Sequence, residues 1–488
     1  MQNFSQYIPI LIVTTIAYLA VKWIYFKILR IAFDKNLVDS PGARKLQKAP
    51  IPVMGGIAAY FGVLVGIWVS VVLFGASIHL LLPVVCAMSV MLYVGAMDDI
   101  LGLSPIARFI IEILTILGLI FSNGMCLDNF RGLWGVYELS WWIAVPLTVV
   151  AGVGIINAIN MIDGVNGLSS GLCIIYCLFF GTAFIKEGDF ANAVLAFTTI
   201  GALAPFYIHN VFGLKSRMFI GDAGTMVIGL LLTWFTISLL NSNSAISYLI
   251  NAQNVNLIAL ALAILSVPIF DTLRVMGMRI ARKKSPFHPD KTHLHHVFIN
   301  VGVSHFITSV SEIIIDVVIV GLWGGSVLCG FSLEVQLYVV IFASICLVWG
   351  TYCILRYNAV RHTKFLHRLT AFSVKTHLGR KEWWKTITEF LDAPGELFYD
   401  NLGDTPIVRK GRLDNIDPNN IKELDRKKIV EFMRGRAEVM VQDIIDNSGA
   451  ENHSVFPIIF EEVQAGYMKI IREGNGGAPD IITLTDKK

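Results

Sequence analysis

An all-α polytopic membrane protein, with about eleven spans and a small soluble C-terminal extension, is the fold class this sequence predicts. Of its 488 residues, 55% are hydrophobic, and the mean hydropathy is +0.64. Soluble domains do not sustain that apolar content. Charge is also unevenly shared: residues 1–360 hold 19 Lys/Arg and 16 Asp/Glu, whereas residues 361–488 hold 20 of each. The chain therefore divides into a membrane body, 1–360, and a water-soluble extension, 361–488. The near-zero net charge of the extension argues against a nucleic-acid-binding domain.

Stretches of about 20 apolar residues mark the spans. They centre near Val13, Val63, Met88, Leu114, Val149, Ile175, Ala196, Leu231, Ala261, Ile319 and Phe342. The first does not read as a cleaved signal, because its basic residues, Lys27 and Arg30, follow the apolar run instead of preceding it. Basic residues then cluster after the first and ninth spans, including Lys35, Arg44, Lys45, Lys48, Arg279, Arg282, Lys283, Lys284 and Lys291, while even-numbered loops offer Arg131 and Lys186. By the positive-inside tendency the odd loops and the extension are cytoplasmic and the N-terminus is outside. The cysteines suggest no disulfide framework. All but Cys126 lie in apolar runs, and Cys173 with Cys177 reads as a pair of core thiols before it reads as a metal pair.

Polar clusters break the apolar pattern at four odd-numbered loops. Asp98 and Asp99 end the third span. Adjacent carboxylates repel, so the pair asks for a cation or a shared proton; a solvated helix cap is the plainer alternative. Gly102-Leu103-Ser104-Pro105 then reads as a turn and a helix start, which places Arg108 within reach of the same cavity. Asn157, Asn160 and Asp163, spaced by three at the end of the fifth span, share one helical face. Amides donate and accept, which suits a nucleobase edge or a metal's coordination sphere.

Asp222, in Gly221-Asp222-Ala223-Gly224, opens the eighth span. It reads equally as a helix N-cap and as a carboxylate where magnesium pyrophosphate docks. His293, His295 and His296 follow a basic stretch. The two-His-plus-Glu spacing of a helical zinc site is absent, so phosphate recognition fits better. Asp271 and Arg274 read as a mutual pair inside the ninth span, with pathway residues as the alternative. Lys45 alone reads as a topology signal.

Together these blocks resemble the polyprenyl-phosphate N-acetylhexosamine-1-phosphate transferases. Within that family the likeness is to bacterial enzymes that move N-acetylglucosamine-1-phosphate from UDP-GlcNAc to undecaprenyl phosphate. It runs from about Asp39 to His296 over five ordered blocks. The resemblance implies a Mg²⁺-dependent enzyme, with Mn²⁺ as the substitute cation. It assigns catalysis to Asp98, Asp99, Arg108, His293, His295 and His296, and Mg²⁺ ligation to Asp222 and Asn160. Lys45, Asn157 and Asp163 match positions around the uridine nucleotide, with Asn166 beside them. The histidine block is similar to that of the GlcNAc-type branch, which favours UDP-GlcNAc over a muramyl-peptide donor. Two positions depart: Gln47 stands where many bacterial members have histidine, and Asn166 replaces a frequent aspartate.

The implied partners are a UDP-sugar donor, a polyprenyl phosphate acceptor and membrane lipid, with no nucleic acid; a homodimer is the assembly to consider. The implied place is the bacterial cytoplasmic (inner) membrane, at the start of a lipid-linked cell-surface glycan. A phosphate monoester has a second pKa of about 6, so the acceptor is already mostly deprotonated at neutral pH. Asp98 then positions acceptor or metal, or takes a proton when one remains. Competing readings are the same transfer with another UDP-N-acetylhexosamine, a cation-coupled transporter and a lipid-phosphate phosphatase. Transporters break their helices near the midplane, whereas these breaks lie at helix ends. In the extension, Ile421–Ile445 reads as helical and Val455–Phe460 as a small apolar core. Trp383-Trp384 with Arg380 and Lys381 reads as an interfacial anchor, and deletion beyond about Lys375 is expected to leave catalysis intact.

Overall fold

The computed structural model describes residues 4–241 except 36 and 40–50, residues 255–401 except 287–291, 362 and 376–381, and separate stretches between 426 and 484. Lys45, Gln47, Arg380 and Lys381 lie outside the described residues. Among those described, 10 helices are long and apolar enough to cross a membrane, and one bent pair makes up to 11. They are α1 (Phe4–Asp34), α2 (Gly55–Phe74), α3 (Ile78–Leu101), α4 (Pro105–Asn123), α5 (Trp141–Met161), α6 (Leu168–Glu187), α7 (Phe190–Phe212), α8 (Gly221–Asn241), the pair α9 (Leu257–Ile264) and α10 (Ser266–Ala281), then, after a short α11 (Leu294–Asn300), α12 (His305–Leu328) and α13 (Leu333–Arg361). Every span centre read from the sequence falls inside one of them, and the chain is a multi-pass membrane protein whose spans are all α-helical.

The ninth span differs from its sequence reading as one continuous helix. It bends by 76° between α9 and α10. A break inside lipid exposes backbone N–H groups that need an acceptor. Asp316 of α12 supplies it, accepting from Val267 N at 3.0 Å and from the hydroxyls of Ser266 and Tyr176.

Helix α8 is the axis of the body, buried without interruption from Ala223 to Leu240. Small residues let neighbours approach it closely, as membrane helices do in place of a hydrophobic driving force. A Cβ on Gly56 of α2 would lie 2.2 Å from the Gly224 nitrogen. A two-residue antiparallel ladder, β1 (Val38–Asp39) with β2 (Ile51–Pro52), pairs Val38 with Pro52 and Asp39 with Ile51. Strand β2 continues into the start of α8, because Phe219 N donates to Pro52 O at 2.7 Å and Gly55 N to Phe219 O at 2.9 Å.

Compact units separate after Phe398, beyond the change of composition near residue 361. Helices α14 (Lys364–Lys375) and α15 (Glu382–Asn401) follow the last span. Polar composition here marks where the chain leaves lipid, not where it stops packing on the body. Trp384 is buried and its ring centroid lies 4.5 Å from that of Phe212, while Trp383 is half exposed. The tryptophan pair is thus divided between body and surface. The second unit, Tyr399–Lys488, holds an antiparallel sheet in the order β3 (Val439–Met440), β5 (Pro479–Leu484), β4 (Met468–Glu473). Ile458 and Ile459, from the apolar stretch singled out by sequence, join Ile429, Met433 and Ile482 in its core. Strand β3 falls within the stretch read as helical, where cross-strand burial of Val439 against β5 outweighs helix propensity.

Candidate active site

Asp98 and Asp99 are neighbours in sequence with different partners. The last turn of α3 points Asp99 across to α8, where its carboxylate accepts from the backbone N–H groups of Asp222 at 2.9 Å and Ala223 at 3.1 Å. Asp99 therefore caps α8 from another helix, satisfying donors that a helix start leaves without intrahelical partners. Asp222 is not the cap of its own helix; it sits inside the first turn, with its side chain available for other work. Gly221 makes this approach feasible. It adopts φ +72°, and a Cβ there would lie 2.4 Å from Val53 O and 2.6 Å from Asp99 Oδ2.

Asp98 turns the other way. It accepts from Leu103 N at 2.7 Å and from Arg108 at 3.0 Å. Arg108 reaches it because Ser104 caps α4, accepting from Ala107 N, with Pro105 in the first turn. The guanidinium also donates to Asn157 Oδ1 at 3.1 Å and lies 3.9 Å from Asp222. Asn160 donates to Asp222 Oδ1 at 2.6 Å and to Thr225 at 2.8 Å. Four spans are thereby tied at one point: α3, α4, α5 and α8. At 36% exposure the Asp222 side chain is more open than Asp98 at 12%.

Asn157 and Asn160 share a helix face but serve different partners, and Asp163 lies beyond the last helical residue, Met161. Asp163 accepts from Ser169 Oγ at 2.6 Å. Burial first, and then the Asp222 charge, pushes its carboxyl up to about 6. Asn166 is held through its backbone, its N–H donating to His305 at 3.2 Å.

The histidines stand at the start of α11, with His295 and His296 beside Gly164 in the turn after α5. His293 bonds Asp271 at 2.8 Å, and Asp271 is also paired with Arg274 at 2.5 Å and accepts from Leu294 N. The Asp271–Arg274 pair thus stabilises more than its own helix: it fixes the start of α11. His295 is buried against Gly164, where a Cβ would lie 3.2 Å from His295 Nε2, and its ring centroid is 4.4 Å from that of His296. Burial, followed by the neighbouring histidines, holds His295 well below the usual imidazole range. A ring so held is neutral at pH 7, and its buried Nδ1 has no hydrogen-bond partner among the described residues. Any phosphate recognition by this block therefore draws no positive charge from His295.

Glu112 escaped the sequence reading. Buried on α4, it accepts from Asn157 Nδ2 at 2.6 Å and lies 3.5 Å from Arg108. Its signal was present: an ionisable residue four positions after Arg108, inside an apolar run. Thr225 gave no comparable signal. Among the described residues no group of three or more His, Cys, Asp or Glu side chains is set to hold a metal. A hard cation that keeps several waters needs fewer protein ligands. Asn160 spends its amino group on Asp222 and Thr225, and its carbonyl oxygen is the ligand atom it could offer a cation. Crowded carboxylates facing one guanidinium fit a divalent cation in charge and donor type.

A polytopic bundle with an acidic, phosphate-suited site at the ends of its spans defines a membrane glycosyl-phosphate transferase, and residues 81–240 match the glycosyl transferase family 4 model. The chain is 31% identical over 299 residues to the probable undecaprenyl-phosphate N-acetylglucosaminyl 1-phosphate transferase of Bacillus subtilis, covering 59% of this chain and 79% of that one. It is 30% identical over 351 residues to the undecaprenyl-phosphate alpha-N-acetylglucosaminyl 1-phosphate transferase of Escherichia coli O157:H7, covering 70% and 89%. The enzyme of that name from Salmonella typhi is 30% identical over 308 residues, 61% and 77% of the two chains. The chain belongs to the polyprenyl-phosphate N-acetylhexosamine-1-phosphate transferase family and is an enzyme.

Proposed function

We propose that this enzyme transfers N-acetylglucosamine-1-phosphate from UDP-GlcNAc to undecaprenyl phosphate, with Mg²⁺ as cofactor and UMP as leaving group. The observation that carries the reading is the junction of Asp98, Arg108, Asn160 and Asp222 from four spans. An oxygen of the lipid phosphate attacks the β-phosphorus, and the bond from that phosphorus to the bridging oxygen breaks toward UMP. The obstacle is repulsion between two anions. Mg²⁺, when bound by Asp222 and Asn160, supplies neutralisation of the pyrophosphate. Arg108 adds a fixed positive charge, held in place by Asp98, Glu112 and Asn157. Both oxygens of Asp98 are engaged, which suits positioning better than proton removal. His295 offers a neutral ring nitrogen beside Gly164. Asp163, Asn166 and Lys45 are assigned to the nucleotide side.

The alternation of Lys and Arg among the loops supports a bacterial cytoplasmic membrane with the site, and the C-terminus, on the cytoplasmic side. Undecaprenyl chains stay in the bilayer and UDP-sugars stay in water, so the chemistry belongs where helix ends meet the cytosol. Purified protein given undecaprenyl phosphate, Mg²⁺ and radiolabelled UDP-GlcNAc should form labelled lipid and UMP. No labelled lipid from any member of a panel of UDP-N-acetylhexosamines would remove the proposal.

A further inference from the structure

We propose that Asp392, in the C-terminal extension, is a positioning residue for the transfer reaction. It does so by holding the loop that leads into Asp222. This inference rests on the function proposed above and concerns residues outside the four polar clusters.

The loop from Gly213 to Ile220 joins α7 to α8. Its consecutive N–H groups at Leu214, Lys215 and Ser216 all donate to one carboxylate, Asp392, at 3.2, 3.0 and 3.0 Å, and Ser216 Oγ donates to it at 2.6 Å. Asp392 is 5% exposed. A buried carboxylate is tolerated only when its lone pairs are filled this way, and such charge-assisted bonds are the strong ones. Two further residues dock the same face of α15 at four-residue spacing: Trp384 packs on Phe212, and Thr388 Oγ1 donates to Phe212 O at 2.9 Å.

Ser216 passes this hold onward. Its hydroxyl meets His209 at 3.0 Å, and its carbonyl accepts from Tyr25 at 2.9 Å. Next to His209, Asn210 donates to Met218 O at 2.8 Å and accepts from Gly167 N at 2.7 Å. One bonded path therefore joins Asp392 to the segment before Asp222 and to the turn that carries Asp163 and Asn166. The first part of the extension is a component of the catalytic unit.

The test uses the full-length protein in detergent or lipid, comparing wild type, Asp392→Asn and, as a control on the exposed side of the same helix, Glu389→Gln. Three quantities are measured: kcat with both KM values, amide hydrogen exchange at residues 214–216, and the thermal unfolding midpoint. For Asp392→Asn, kcat should fall roughly tenfold or more, because small misplacements of catalytic groups are costly. The KM values should move less, and exchange at Leu214, Lys215 and Ser216 should accelerate. Glu389→Gln should match wild type. Wild-type kcat despite faster loop exchange overturns the proposal, as does unchanged exchange. Should Asp392→Asn fail to fold, Ser216→Ala decides, because it removes the hydroxyl's bonds to Asp392 and His209 and keeps the carboxylate with its backbone donors; full kcat there also overturns it. The variant-to-wild-type ratio carries this test, whereas a wild type without transfer refutes the function itself.

Discussion

Helix ends close locally on both faces of this bundle, Gly102 at the site end of α3 included, but on the site face a carboxylate also closes one helix from another. Opposite the site, α2 and α4 stop at Gly75 and Gly124, whose own N–H groups return to Ser70 O and Ile120 O of the same helices. These ends are closed locally. On the site face the start of α8 is closed by Asp99 of α3, Asn160 of α5 bonds Asp222 of α8, and Arg108 of α4 bridges to α3 and α5. Local closure uses up backbone groups and leaves nothing over. Closure between helices brings carboxylates, amides and a guanidinium together where no single helix could place them. The charge arrangement needed for phosphoryl transfer is thus also what ties the spans to one another.

The sharpest way to break this comparison is Asp222→Ala, which leaves the backbone cap from Asp99 in place. Removing one preorganised electrostatic contact typically costs 10²–10³-fold in kcat, and roughly that loss is expected with thermal unfolding little changed. A variant with near-normal turnover would show that the junction is structural only. Asp98→Asn should cost roughly 10- to 10²-fold through misplacement of Arg108, and equally at pH 6 and pH 8. Loss confined to pH 6, where some acceptor still carries its proton, would assign proton removal to Asp98 instead.

Asp99→Asn probes the interhelical cap itself. The amide keeps one accepting oxygen for two N–H groups, so about 1 kcal/mol of stability should go, in the range known for helix caps. Thermal unfolding reads this directly, and an unchanged midpoint would mean that the cap contributes nothing. The smallest effect concerns Asp163, whose carboxyl sits at about 6 instead of the ordinary 3.8. Between those values the folded protein holds a proton that the unfolded chain has released, so stability falls as pH rises through that window. In metal-free buffer, Asp163→Asn should therefore gain on wild type in unfolding midpoint as pH is raised from about 4 to 7. A difference independent of pH would contradict the shift.

The extension repeats the contrast between local and distant evidence. Its charged composition, read alone, made everything beyond Lys375 dispensable, yet Trp384, Thr388 and Asp392 pack into the body. Truncation after Asn401 keeps these contacts and truncation after Lys375 removes them, which makes the two shortened chains a direct check on where the catalytic unit ends. Asp392 could not be picked out in advance because one acidic residue on an amphipathic helix looks like any solvated neighbour.

By itself the sequence determined the membrane class, the number and centres of the spans, and the polar breaks at Asp98–Asp99, Asn157–Asp163, Asp222 and His293–His296. Those follow from short-range physics, since the cost of polar groups in lipid is written into every twenty-residue window. Only the tertiary structure decided that Asp99 caps another helix, that Glu112 joins the Arg108 network, that the ninth span bends at an Asp316 cap, and that His295 lies against Gly164 as a neutral ring. Each of those depends on which helix stands beside which, and partners a hundred residues apart leave no periodicity behind.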